Sequence, residues 1–244
     1  MRDVCLVINT FSKYSDVWQM FFDSLDKHFP DIKRYVFVDQ GEPDKKSTTI
    51  HYKKEDLFRT QFISCIEKVP EKYCIFISED YVLYDDVRTD LLERYRDVLD
   101  ENKNLSFIKL VKGMDFGEPR YKNHDDLYRM SNLFPYFYSQ SASLWRTRDL
   151  EKIFKNTKDS HIAGQDMSQQ LEILANYTCQ MLDIQGLYCY NGERKIGIYH
   201  HDNIVFPHIA TALVKGKWNL SEYGDKLRPL LEKYGIDPQE RGIY

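Results

Sequence analysis

The chain has 244 residues, 42% hydrophobic and 14% aromatic, enough for one large α/β core. Its 34 basic and 38 acidic side chains give a formal charge of -4, which excludes the basic footprint of a nucleic-acid binder. No apolar run approaches the roughly 20 residues that cross a bilayer, and Met1-Arg2-Asp3 leads straight into a strand-like run instead of a signal peptide. The expectation is therefore a cytoplasmic protein without a transmembrane segment, with room for peripheral membrane contact.

In chain order, residues 4–9 are the first predicted strand, ending in the polar-aromatic loop Thr10-Phe11-Ser12-Lys13-Tyr14. Trp18, Phe21, Phe22 and Leu25 recur at helical spacing from Ser15, and Pro30 stops the pattern. Residues 35–38 make a second strand that ends at Asp39-Gln40-Gly41, and residues 50–52 a third after a polar loop. Phe58, Phe62, Cys65, Ile66 and Val69 fall on one face of a helix closed by Pro70. Then comes the run Tyr73-Cys74-Ile75-Phe76-Ile77, which ends abruptly in Ser78-Glu79-Asp80. An unbroken aromatic and branched run of this length reads as a strand buried on both faces of a parallel sheet. Its acids then sit at the carboxyl edge, where open α/β sheets bind ligands. Two carboxylates there suit a hard divalent cation, which in turn can hold a diphosphate. A helix bearing Leu91, Leu92, Tyr95, Val98 and Leu99 and a strand over residues 105–111 complete the regular half. Strand and helix alternate with short connections, the pattern of a mostly parallel sheet flanked by helices.

The second half is less regular. Residues 112–132 read as a long loop, 134–145 as a strand, and Thr147 as the cap of a helix carrying Leu150, Ile153 and Phe154. A helix is predicted over 166–177, strands over 182–190 and 196–200, and a helix over 207–215. Pro229 suits the first position of a short helix closed by Gly235. The five cysteines are odd in number and show no metal-type spacing; Cys5, Cys65 and Cys74 lie in apolar runs and read as reduced core residues. One globular unit is expected, with residues 1–111 as a nucleotide-binding half and 112–244 as an acceptor-side half.

The order of these pieces resembles the GT-A-type glycosyltransferases, in particular small bacterial or viral ones. The likeness lies in Thr10-Phe11-Ser12 after strand one, Asp39 after strand two, a helix with Arg59, the Ser78-Glu79-Asp80 strand tip, residues 138–145, and the closing Gly216-Lys217-Trp218 and Arg241-Gly242. It implies a GT-A-like fold, a nucleotide-sugar donor, a divalent cation (Mn2+ or Mg2+) and a hydroxyl acceptor on a glycan or lipid-linked chain, as in polysaccharide biosynthesis. Asp80 matches the family's metal-binding aspartate. The chain departs from the family where two aspartates spaced by one residue are usual: Ser78 replaces the first acid, which leaves weak or absent metal dependence open.

A departing nucleoside diphosphate needs its negative charge stabilised by a cation or by placed Lys and Arg groups. Glu79 and Ser78 flank the metal position. His200 and His201, followed by Asp202, are candidate further ligands. Lys215 and Lys217, near Trp218, are candidate phosphate contacts, as is Arg59. Asp39 and the loop Thr10, Phe11 and Ser12 are the expected seat of base and ribose, because a carboxylate accepts from ribose hydroxyls. The acceptor hydroxyl needs a general base; Asp166, just after Gly164 at a helix start, is the first choice and Glu172 the second. Gln140, Ser141 and Ser143 offer small donors to sugar hydroxyls, and Tyr136, Tyr138 and Trp145 offer faces to sugar rings. Each has a plainer role open to it: turn residue for Asp39, surface pair for Arg59, helix cap for Asp166, exposed turn for the lysines, core for the aromatics.

Two rival activities fit the same elements. A nucleotidyltransferase making nucleotide sugars needs a Gly-rich basic loop after strand one, and residues 10–14 hold no glycine. A non-catalytic nucleotide- or glycan-binding module is kept open by Ser78.

Overall fold

The computed structural model describes residues 1–113, 119–158, 167–196 and 200–244. Strands β1 (Val4–Asn9), β2 (Lys33–Val38), β3 (Thr48–His51), β4 (Tyr73–Ser78), β5 (Leu105–Lys109), β6 (Leu127–Met130), β7 (Ser143–Arg146) and β8 (Gln185–Cys189) form one sheet in the order β3-β2-β1-β4-β7-β5-β8-β6. The pairs β3-β2, β2-β1, β1-β4 and β5-β8 are parallel; β7 runs antiparallel to β4 and β5, and β6 antiparallel to β8. This is the expected α/β fold, a large mostly parallel sheet flanked by helices.

Alternation along the strands explains the unbroken apolar runs. Leu6, Ile8, Ile75 and Ile77 point to a core built with Phe21 and Leu25 of α1 (Ser15–His28) and Leu92, Tyr95 and Leu99 of α3 (Thr89–Glu101). Cys5, Val7, Cys74 and Phe76 point the other way, to Phe62 of α2 (Phe58–Ile66), Leu150 and Phe154 of α4 (Thr147–Asn156) and Leu171 of α5 (Met167–Met181). Helices cover both faces, so both side-chain sets must be apolar. A third core joins Val17 and Met20 of α1 to Ile209, Trp218 and the Leu220, Tyr223 and Leu227 side of α6 (Leu220–Lys233). All five cysteines are buried and free. Among the described residues no helix is long and apolar enough to cross a membrane.

The second half departs from its predicted elements in several places. β6 lies within the stretch expected to be loop, as an edge strand paired on β8. Only the end of residues 134–145 is strand: the Tyr138 N–H is drawn onto Asn176 of α5 at 2.9 Å and the Gln140 N–H onto Glu172 at 2.6 Å, which takes their donors away from a ladder. β7 then inserts between β4 and β5, so strands from both halves of the chain interleave in one sheet. Thr147 is the first residue of α4 and caps nothing; its N–H donates to the Lys72 carbonyl at 3.0 Å. Strand 196–200 is replaced by the short pair β9 (Lys195–Ile196) and β10 (His200–His201), with residues 197–199 outside those described. No helix occupies 207–215. Instead β11 (Leu213–Val214) and β12 (Lys217–Trp218) form a hairpin turned by Lys215 and Gly216, whose φ values are 51° and 77°. Two successive positive φ angles define a turn that matches strand twist, and a helix cannot contain them. Pro229 lies inside α6, past a break at Tyr223, instead of opening a helix.

Gly186 of β8 is closely packed. A Cβ there would lie 2.3 Å from the Phe107 ring, which is itself held by Trp145 at 4.2 Å and Phe137 at 5.0 Å between ring centres. Gly186→Ala is expected to destabilise the fold by about 1–3 kcal/mol through overpacking. Urea unfolding checks this; an unchanged midpoint contradicts it.

Candidate active site

The carboxyl ends of β1 and β4 part company in topology. The chain leaves β1 through α1 toward β2 on one side, and returns from β3 through α2 to β4 on the other. Asn9 of β1 is level with Phe37 on one neighbour and Ser78 on the other. This is a topological switch point, where the diverging loops leave a crevice beyond the strand ends.

The loop after β1 is tied down on three sides. The buried Thr10 gives its N–H to the Phe37 carbonyl at 2.9 Å, its carbonyl accepts from the Tyr52 hydroxyl at 2.8 Å, and its Oγ1 accepts from Trp18 Nε1 at 2.8 Å. Residues Ser12–Tyr14 then make one 3-10 turn. The Ser12 N–H and hydroxyl both donate to Asp39, to Oδ1 and Oδ2 respectively, at 2.8 Å each. Asp39 and the Thr10 loop are thus brought together as expected, but the carboxylate is engaged in shaping the loop. Phe11 is half-buried and carries the Lys13 and Lys54 ammonium groups 5.8 and 5.3 Å from its ring centre.

Across the crevice stands the β4 tip. Ser78 and Asp80 are half-buried and Glu79 is buried. Burial, and then the charge of Asp80, pushes the Glu79 carboxyl up to about 8, with Thr10 and Arg241 acting in the opposite direction. Burial pushes Asp80 up to about 7, partly offset by the Leu213 N–H, which donates to Oδ2 at 3.5 Å. No ion pair to Glu79 or Asp80 occurs among the described residues. Two adjacent acids in no ion pair, with only the field of Arg241 offsetting their charge, suit a divalent cation in charge and in hardness.

The expected histidine ligands do not join them. Among the described residues, the one group of three ligand atoms within 4.8 Å of each other is His28, Asp85 and Asp86. It lies at the far end of α1 from the Thr10 loop, roughly 20 Å away at 1.5 Å per residue. His200 Nε2 sits 3.1 Å from Thr211 Oγ1, and burial lowers its pKa to about 4. His201 Nδ1 faces the Gly113 carbonyl at 3.0 Å because β10 seats it there. Arg59 is likewise diverted: its Nε donates to the Phe154 carbonyl at 2.8 Å and its Nη2 to the Lys155 carbonyl at 2.9 Å, at the negative end of α4. Lys215 and Lys217 flank the tip of the β11–β12 hairpin, where Gly216 approaches the Tyr14 hydroxyl of the loop after β1. Asp166 lies outside the described residues. Of the aromatics, Tyr138 and Trp145 are core and Tyr136 is exposed.

One residue was missed. Lys109 ends β5 and is 3% exposed; its ammonium donates to the Tyr136 carbonyl and to Ser139 Oγ at 2.7 Å each. Burial lowers its pKa to about 8, and the charge of Glu172 opposes the shift. Glu172 in turn accepts the Gln140 N–H, and the Gln140 carbonyl accepts from Tyr81, the residue after Asp80. A continuous polar chain therefore runs from the β4 tip to α5. The signal was a lysine interrupting the apolar run Phe107-Ile108-Lys109-Leu110-Val111.

No protein-family model matches the chain, and no curated protein matches its sequence. Solved structures do show likeness. A cytidylyltransferase from Leptospira borgpetersenii serovar Hardjo-bovis aligns over 100% of both chains at 12% identity with a TM-score of 0.47. CMP:2-keto-3-deoxy-manno-octonic acid synthetase complexed with CTP aligns over 76% of this chain and 88% of its own, at 11% identity and a TM-score of 0.45. The bifunctional IspDF of Campylobacter jejuni aligns over 80% of this chain and 52% of its own, at 13% identity and 0.43. Identities this low say nothing about activity.

The raised carboxyls have a consequence for stability. Without a cation, folded Glu79 and Asp80 hold protons that the unfolded chain releases near pH 4. Their stabilising protonation is complete below pH 4 and is lost as pH rises to about 8. In a chelator, the melting temperature is expected to fall between about pH 5 and 8, and Asp80→Asn to flatten that fall. A melting temperature independent of pH in the wild type, or an equal fall in the variant, refutes the assignment.

Proposed function

We propose that this chain is a nucleotide-dependent transferase that moves a sugar from a nucleotide-sugar donor to a hydroxyl of a glycan or lipid-linked acceptor. One observation carries the reading: the carboxyl ends of β1 and β4 form a topological switch point that brings the Asp39-pinned loop together with the acids Glu79 and Asp80. Base and ribose lie along Thr10, Phe11, Ser12 and Asp39, and the diphosphate lies between the β4 tip and the hairpin bearing Lys215 and Lys217. A divalent cation, Mn2+ or Mg2+, would be held by Asp80 and Glu79 and would offset the charge of the leaving diphosphate. The lysines supply positive charge from the other side. The acceptor enters beside Glu172, which the Gln140 N–H orients and whose charge acts on the buried Lys109. Glu172, or Asp166 one residue before α5, removes the acceptor proton as the hydroxyl attacks and the sugar–phosphate bond breaks.

The same site supports a second reading, nucleotidyl transfer to a sugar phosphate or sugar acid that makes a nucleotide sugar. Lys13, Lys54, Lys215 and Lys217 provide the positive charge a triphosphate needs. Against it stands the loop itself, which has no glycine and is folded as a 3-10 turn instead of a phosphate cradle.

Incubation with a panel of nucleotide sugars, with and without Mn2+, tests the first reading by donor hydrolysis. Pyrophosphate release from nucleoside triphosphates with sugar acids and phosphates tests the second. Asp80→Ala is expected to lower turnover about 100-fold or more; undiminished turnover places the centre elsewhere. Glu172→Gln is expected to lower kcat by about 100- to 10,000-fold with donor affinity retained. Equal losses in affinity and kcat would remove its role as base. Absence of any nucleotide effect on thermal stability would leave a binding module that uses another ligand.

A further inference from the structure

We propose that Arg241 is a positioning residue that clamps the lysine-bearing hairpin onto the donor loop, so that Lys215 and Lys217 are held over the diphosphate. The inference rests on the reading of the β1/β4 crevice as a diphosphate site. Arg241 reaches four separate pieces of the molecule. Its Nε donates to Asp16 Oδ2 at 2.5 Å and its Nη2 to Asp16 Oδ1, a forked pair at the start of α1. Nη2 also donates to the Lys13 carbonyl at 3.2 Å, and Nη1 to the Gly216 carbonyl at 3.5 Å. The guanidinium lies 4.9 Å from the Tyr14 ring centre. Its charge is felt by the buried Glu79 at the β4 tip.

The segment that carries Arg241 is bonded to the hairpin. The Trp218 N–H donates to the Gly242 carbonyl at 3.0 Å, and the Tyr244 N–H to the Trp218 carbonyl at 2.9 Å. Gly242 has φ 84°, and the aliphatic stem of Lys217 runs past it, within 3.8 Å of where a Cβ would stand. A side chain at 242 would be strained in its backbone. The hairpin's other strand is joined to the site as well, through the Leu213 N–H on Asp80. The hairpin is therefore held at its base by Asp80 and at its tip by Arg241. Only a planar fork serves all of these partners at once; a lysine offers one point charge in place of two parallel donors. With Arg241 paired to Asp16, Lys215 and Lys217 are the exposed positive charges the hairpin carries.

The test separates the clamp from the donor reading. Amide hydrogen exchange at Trp218 in nucleotide-free protein reports hairpin opening, and calorimetry with UDP, CDP, GDP and ADP and their monophosphates reports the site. In Arg241→Gln and in Asp16→Asn, Trp218 exchange is expected to rise about tenfold or more, the nucleoside diphosphate to bind about tenfold more weakly, and the monophosphate to change by less than about threefold. Asp16→Arg combined with Arg241→Asp is expected to restore both readouts in part, which a misfolded variant cannot do. Unchanged Trp218 exchange overturns the clamp, and faster exchange with equal loss of mono- and diphosphate overturns its aim at the phosphates. Failure of the wild type to bind any nucleotide sinks the donor reading itself, while the exchange result still decides whether Arg241 holds the hairpin.

Discussion

The grip of Asp39 on Ser12 is the constraint on which the rest of the site depends. A carboxylate that accepts a backbone N–H and a hydroxyl from one residue is a pair of charge-assisted bonds, worth about 1.5–3 kcal/mol each. That pair fixes the turn of the loop after β1, and with it Phe11 and Lys13. The position of Asp39 follows from β2, whose register against β1 places Phe37 beside Asn9. The loop is thus an extension of sheet geometry.

Beneath this lies a sheet whose central strands face helices on both sides. Each fully buried aliphatic or aromatic side chain favours the folded state by about 1.5–3 kcal/mol, and β1 and β4 contribute them from both faces. This apolar setting accounts for the electrostatics of the tip. Glu79 and Asp80 stand where the protein has excluded water and supplied few donors, so their charged forms are disfavoured. Lys109 at the end of β5, two strands away, and Glu172 on α5 repeat the pattern with opposite charges at hand, and a polar chain joins them to the β4 tip.

Much of the first half was legible in advance because its signals are local. Residues 4–9 and 73–78 are strands: each is a short unbroken run rich in branched and aromatic residues, too short for a buried helix. Where prediction and structure part, a distant partner decides. Residues 134–142 read as strand, yet Asn176 and Glu172 on α5 hold their backbone out of the sheet. The paired histidines read as ligands until the β9–β10 pairing turns His201 to a carbonyl. Arg59 has the right charge on the right helix, but the end of α4 lies closer than the crevice does.

By itself the amino-acid order determined the alternation of strand and helix, the acids at the end of β4 and the loop after β1, because hydrophobic periodicity and turn residues act over a few positions. Tertiary structure alone decided that β7 would enter between β4 and β5, that Lys109 would be buried beside Glu172, and that Arg241 would meet Asp16, 225 positions earlier in the chain. Those outcomes depend on contacts made only once the chain has closed on itself, and no short window of residues contains both partners.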